Sequence, residues 1–180
     1  MDVFEAIRTM QAVRQYQDRP VSEDVLRQVL EAGRLTASGM NAQPWHFIVV
    51  QDPETLRQLG ALAKTGPYIA GAPVAIAVAV DRSRLAVSDA SRAIHAMLLT
   101  AWADGIGGNW VGFGGLDEVK PLLGIPEELD LLAILRLGYP AAALGRGKKE
   151  RKPLTEIALV WVLFSDAARV RISHVSTGRR

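Results

Sequence analysis

Apolar positions along the chain recur at two spacings. Val3, Phe4, Ile7 and Met10 share one face of a helix over residues 3–10. A second stripe, Val25, Leu26, Val29 and Leu30, follows Pro20 and Val21. Ser22 is placed to cap it, Glu23 and Asp24 suit its first turn, and Gly33 signals that its end is near. Asp52-Pro53-Glu54 opens a helix to about Ala63. Over residues 88–104, Ile94, Met97, Leu98, Ala101 and Trp102 predict a long helix with a buried side, stopped by Gly105. A short helix is expected over residues 117–123, broken by Gly124-Ile125-Pro126. Between these lie runs of β-formers at residues 46–50, 72–80 and 131–137. The run IALVWVLF, residues 157–164, is apolar enough for a fully buried strand. Helices interleaved with strands, without repeat or linker, predict an α/β or α+β domain of two or three layers. The polar stretch 165–180 is expected to be a frayed or solvated tail.

Composition sharpens this picture. The chain has 180 residues, enough for one domain with a sizeable core. Hydrophobic residues make up 49% and the mean hydropathy is +0.12, a surplus that needs a burial place. A large interface between subunits is one outlet. A membrane is excluded as the other, because no run approaches the ~20 apolar residues of a spanning helix. The first ten residues, charged and amphipathic, lack the apolar block of a signal peptide, so a cytoplasmic location is expected. There is no cysteine, hence no disulfide, thiolate nucleophile or cysteine metal site. A net charge of +2 without a basic stripe points away from nucleic acid.

The side chains offer little chemistry of their own. His46, His95 and His174 lie far apart in sequence, none with a metal-ligand partner at helical spacing, so no metal site is expected. No G-x-S-x-G elbow is present, and carboxylates are scattered. An enzyme with this inventory would rely on a cofactor. Two segments invite one. GIGGNWVGFGG, residues 105–115, fits neither G-x-G-x-x-G nor a phosphate-loop spacing; it reads as a tight helix-to-strand turn or as backbone approaching a flat ligand. RGKKER, residues 146–151, is either a solvated loop or a phosphate site, since Lys149 and Arg151 point to the same side of an extended chain.

The ordered set A-V-R-x-Y at residues 12–16, A-S-G-M-N-A-Q-P-W-H-F-I-V-V at 37–50, the Gly/Trp segment after a long helix, L-G-Y-P at 137–140 and K-x-R-K-P-L-x-E at 149–156 resembles the nitroreductase family of FMN-dependent oxidoreductases. The resemblance runs from about residue 4 to 156. It implies an α+β fold, a nitroreductase-like sandwich in which a central, mostly antiparallel sheet is flanked by helices. It also implies a homodimer with FMN at the interface and the C-terminal strand exchanged between subunits. The FMN-binding domain would span residues 1–164, with 165–180 as a tail. NAD(P)H and a small electron-poor acceptor, a nitroaromatic or quinone, would react in turn at one site.

Carried onto this chain, the resemblance assigns Ser38, Gly39 and Asn41 of the partner chain to the isoalloxazine and ribityl. Gln43 and Pro44 would fix that loop, and Trp45 would pack beneath it. Trp110, Val111 and Gly112 would lie along the flavin ring, with a backbone N–H near N5 at Gly112 and no catalytic side chain. Lys149 and Arg151 would hold the phosphate. Gln11, Ala12 and Arg14 match the segment serving the phosphate and pyrimidine edge. The chain departs from the family at Met10-Gln11-Ala12, where members commonly carry Arg-Arg-Ser or Arg-His-Ser. A charge-assisted hydrogen bond contributes ~1.5–3 kcal/mol, so losing one weakens FMN by roughly tenfold or more. Two other readings follow from the same residues. One is a non-enzymatic flavin-binding dimer. The other is a specialised flavin-dependent dehalogenase or flavin-cleaving relative, disfavoured because only residues 64–71 are available for a lid.

Overall fold

The computed structural model describes residues 1–64, 66–112, 115–144, 149–162 and 171–174. The chain divides into two compact units, Met1–Gly147 and Lys148–Arg180.

In the first unit, helix α1 (Val3–Thr9) is capped by Asp2, whose carboxylate accepts the Glu5 N–H at 2.8 Å. Helix α2 (Glu23–Arg34) starts at the Ser22 cap and buries Leu26 and Val29. Gly33 is its penultimate residue, as the expected nearby end requires, and a Cβ there would meet Met97 Sδ at 2.8 Å. Strand β1 (Trp45–Val50) leads to α3 (Pro53–Leu62), where the Asp52 carboxylate caps Thr55 at 2.8 Å and Pro53 occupies the first turn. Strand β2 (Val74–Asp81), helix α4 (Ala86–Ala103), strand β3 (Gly107–Gly112) and strand β4 (Leu129–Gly138) follow. The predicted helix at 117–123 shortens to a 3-10 turn, Asp117–Val119, and the chain then reverses through Gly124 at φ +62°.

The four strands form one antiparallel sheet in the order β1-β2-β4-β3. Strand β2 is buried on both faces from Val74 to Val80, which makes it the centre of three layers. Its even-numbered residues pack with Leu26 and Val29 of α2 and with Ala90, Ile94 and Met97 of α4. Ala75 and Ala77 face the other way, onto Leu56 and Leu59 of α3, Ile69 and Val111. The α+β class and antiparallel sheet match the expectation. In the glycine segment, Gly105 at φ +77° makes the expected helix-to-strand turn, and residues 107–112 continue as an edge strand paired along its whole length with β4.

The first helix also differs. Val3 is 71% and Phe4 74% exposed, and Ile7 is exposed as well; the buried residues are Ala6 and Thr9. The apolar stripe therefore faces away from this chain's own core.

In the second unit, the apolar run begins in a short helix, α5 (Leu154–Ile157), before strand β5 (Leu159–Val162). Residues 163 and 164 of the expected strand lie outside the described residues. Strand β5 pairs antiparallel with β6 (Arg171–His174), so part of the expected frayed tail is strand. A hairpin satisfies backbone groups that a solvated tail would leave to water.

Candidate functional site

Three segments of the first unit carry candidate residues. The first is the chain after α1. Ala12 forms a parallel bridge with Gly108, and the Val13 N–H donates to the Gly108 carbonyl at 3.0 Å. Farther along, the Gln17 N–H donates to Tyr139 O at 2.8 Å, and Tyr16 bridges to Pro140. Val13 is the buried anchor, and Gly107 is its socket: a Cβ at Gly107 would lie 2.3 Å from Val13 Cγ2. This leaves Ala12 and Arg14 exposed and Gln11 half-buried along the outer edge of β3.

The second segment is β3 itself. Because Gly108 directs its carbonyl outward to Val13, strand parity turns the N–H and C=O of Trp110 and Gly112 outward too, away from β4. The Trp110 carbonyl accepts the Asn109 side-chain amide at 3.1 Å. Val111 and Gly112 are buried and Trp110 half-buried. The glycines here are explained by packing. A Cβ at Gly108 would meet Leu98 at 2.5 Å, and one at Gly112 would meet Trp110 Nε1 at 2.7 Å.

The third segment is the loop before β1. Met40, Asn41 and Gln43 take positive φ values of 52°, 56° and 48°, which L side chains seldom adopt. Several bonds hold them there. The Gln43 N–H donates to Ser38 Oγ at 2.9 Å, the Asn41 N–H to Ser38 O at 3.1 Å, and Gln43 Nε2 to Asn41 O at 3.3 Å. The Gly39 N–H donates to the carboxylate of Asp89 at 3.0 Å. Asp89 is fully buried in the first turn of α4 and also pairs with Arg92. A Cβ at Gly39 would meet Leu85 Cδ1 at 2.5 Å, so the leucine side chain would have to shift to make room. Trp45 lies buried at the start of β1, its ring near-parallel to Phe47 with centroids 6.4 Å apart.

The first two segments meet at the β3 edge, and the third lies across the sheet from the point where residues 11–14 dock. Ala12 bridges Gly108, which is level with Leu137 and Val74; Trp45 is level with Val80 at the opposite edge. The attachment points are three strand spacings apart, ~14 Å across the sheet, and six residues or ~20 Å along it. Lys149 and Arg151 belong to the second unit, where Arg151 is exposed and donates to Glu150 O at 2.8 Å. Partial burial, and then the neighbouring Arg151 charge, hold the Lys149 ammonium below its ordinary pKa.

Two residues of this region escape a reading of the sequence. Asp89 looks like an ordinary acid near a helix start, and only the fold shows it gripping Gly39. Arg136 interrupts the apolar run of β4 and is fully buried, a signal visible in LAILRLG as a charge on an otherwise apolar strand. It stacks on Tyr68 at 4.1 Å and on Tyr16 at 5.4 Å, and its Nη1 donates to Tyr68 O at 2.6 Å. Burial pushes the Tyr16 phenol up to about 12, partly offset by Arg136 and Arg14.

Comparison with known proteins gives a consistent result. The family model described as "Nitroreductase family" matches residues 7–68 and 61–139. A Methanothermobacter thermautotrophicus protein named "Putative NADH dehydrogenase/NAD(P)H nitroreductase" is 37% identical over 150 residues, covering 78% of each chain. The Bacillus subtilis "FMN reductase [NAD(P)H]" is 28% identical over 177 residues, covering 84% of this chain and 70% of its own. A crystal structure from Desulfovibrio desulfuricans, "a putative nitroreductase in complex with fmn", superposes with a TM-score of 0.74 at 32% identity. That match covers 88% of this chain and 95% of the other. The docking of the 11–14 segment on a glycine-bearing edge strand, the strained loop ahead of β1 and these matches agree: the chain belongs to the nitroreductase family.

Proposed function

We propose that the chain is an FMN-dependent oxidoreductase that works as a homodimer. It takes hydride from NAD(P)H and passes it to a small electron-poor acceptor such as a nitroaromatic or quinone. The observation that carries this reading is the convergence of the Gln11–Arg14 segment on the outer edge of β3, where the Gly112 N–H faces away from the sheet. The names of the relatives, an FMN reductase and a structure in complex with FMN, support it.

The donor set suits FMN. A neutral ring system is served by main-chain amides and amide side chains, and a phosphate by cations. When bound, FMN supplies two-electron hydride chemistry that no side chain here offers. The Gly112 N–H, turned outward from β3, would donate to N5 where electron density arrives, and the backbone of Trp110 and Val111 would continue along the ring. Ser38 Oγ accepts the Gln43 N–H, so its own proton is left to donate to the ribityl. Gly39 and Asn41 complete that wall, and Gln43 ties the loop to itself. Lys149 and Arg151 repel one another, and a phosphate dianion between them converts that repulsion into binding. In the first unit, Arg14 is the cation of the segment that also carries Gln11 and Ala12, proposed for the cofactor's polar groups. We take residues 1–164 as the FMN-binding domain; the stretch after it is not all tail, since Arg171–His174 pair with β5.

Dimerisation would bring the loop before β1 to the other two segments. A two-fold axis that brings the loop of one subunit to the β3 edge of its partner completes two sites at once. The exposed Val3, Phe4 and Ile7, with Met40 at 94% exposure, supply apolar surface for such an interface. Exchange of the C-terminal strand would add to it.

A visible spectrum of the purified protein, before and after NADH and NADPH, tests the reading. A bound-flavin band that bleaches with either nucleotide is expected. Flavin that stays oxidised would leave a binding dimer without turnover, and a colourless protein in excess FMN would contradict both. Lys149→Ala with Arg151→Ala is expected to abolish copurifying yellow colour; full retention refutes the phosphate assignment.

A further inference from the structure

Among the described residues, Arg136 is a cation without a counter-ion. It is fully buried on β4, and no carboxylate among the described residues forms an ion pair with it. One nitrogen donates to Tyr68 O, while Nε and Nη2 have no hydrogen-bond partner among the described residues. Burial holds the guanidinium below its ordinary pKa; Tyr16 and Tyr68 oppose that shift, and the cation Arg14 adds a smaller share to it. A buried charge left unpaired is destabilising, and an apolar residue of similar volume is often more stable in its place. The position of Arg136 indicates what offsets this cost. It lies directly across from Asn109 of β3 in the strand register, beneath Tyr16 of the segment that carries Arg14, and beside Tyr68. The proposed flavin-ring strand and the proposed pyrimidine-edge segment thus converge on it.

We propose that Arg136 is an electrostatic positioning residue: a pre-installed positive charge that selectively stabilises reduced FMN. This rests on the flavin reading above. Hydride from NAD(P)H brings two electrons and one proton, so the neutral ring system gains one negative charge as the nicotinamide becomes cationic. A fixed cation in a water-poor interior acts on that new charge strongly and on the neutral oxidised ring weakly. Arg136 therefore raises the reduction potential of the bound flavin. A simple staple for the Tyr68 turn would change the affinities of oxidised and reduced flavin equally and leave the potential where it was.

The test compares wild type, Arg136→Met and Arg136→Lys by oxidised-FMN affinity, by the midpoint potential of bound flavin against a reference dye, and by melting of the flavin-free protein. Arg136→Met is expected to lose about tenfold more affinity for reduced than for oxidised FMN, a fall of about 30 mV for a two-electron couple. Arg136→Lys keeps most of the potential, and flavin-free Arg136→Met melts no lower than wild type. Should Arg136→Met fail to fold, Arg136→Gln removes the charge while keeping a donor for Tyr68 O, and the same fall is expected. An unchanged potential in the neutral variants, with wild type binding and reducing FMN normally, overturns the role of Arg136 alone. Wild type that binds no FMN overturns the flavin reading and this inference with it.

Discussion

In β3 the glycines at 107, 108 and 112 are filled by neighbours, Val13, Leu98 and Trp110, and the strand is regular. In the 38–43 loop, Gly39 gives way to Leu85, yet the left-handed backbone falls on Met40, Asn41 and Gln43, which have side chains. Glycine in the strand is a packing residue that lets other segments dock. In the loop, side chains are kept where glycine would be easier, and the conformation is imposed by the Ser38, Gln43 and Asp89 bonds. Strain retained under such constraint marks a segment whose side chains are needed.

The contrast predicts a ranking of mutational effects. Gly107→Ala drives a Cβ into Val13 and should lower the unfolding free energy by about 2–3 kcal/mol, read by urea denaturation, with FMN affinity lost as the 11–14 segment detaches. Asp89→Ala leaves the Gly39 N–H without its partner; because Arg92 is half exposed, a cost of about 2 kcal/mol is expected. Flavin affinity should fall with it, while the α1 and 11–14 contacts persist. Met40→Gly relieves positive φ and should stabilise by up to about 1 kcal/mol in the same assay. A destabilising Met40→Gly, or a silent Gly107→Ala, would erase the distinction between the two regions.

Alkaline pH sharpens it. The Tyr16 phenol, pushed up to about 12 by burial, is held neutral in the fold, its O–H donating to Val13 O at 2.8 Å. A raised folded pKa means that its stabilisation is complete below pH ~10 and lost as pH rises towards 12. The loss should be about 2 kcal/mol across that window and absent in Tyr16→Phe, which itself costs about 1 kcal/mol at neutral pH.

Much of this fold was legible in the chain, because caps and apolar stripes are local. Ser22 and Asp52 cap where expected, and the stripes at 25–30 and 94–101 are buried. What escaped depends on partners distant in sequence. Residues 107–112 carry no strand pattern of their own until β4 pairs with them, and the Met97 contact that excludes a side chain at Gly33 leaves no local signal. The stripe of α1 is a genuine apolar face, but its burial cannot come from this chain's own core. Motif order brought out the loop, the β3 edge and the basic pair; the supporting Asp89 and Arg136 carry no motif and emerge only from burial and hydrogen bonds.

The central claim is that each flavin site is built from two subunits, and mixing two defective variants tests it most directly. One variant carries Gly39→Val and Asn41→Ala in the loop, the other Gln11→Ala and Arg14→Ala beside β3, each expected to bind little FMN alone. In a two-fold dimer, mixed pairs concentrate all lesions in one site and leave the other intact, so random reassortment should restore about a quarter of wild-type flavin binding. Confirmed mixed dimers that bind no more FMN than either parent would contradict the account.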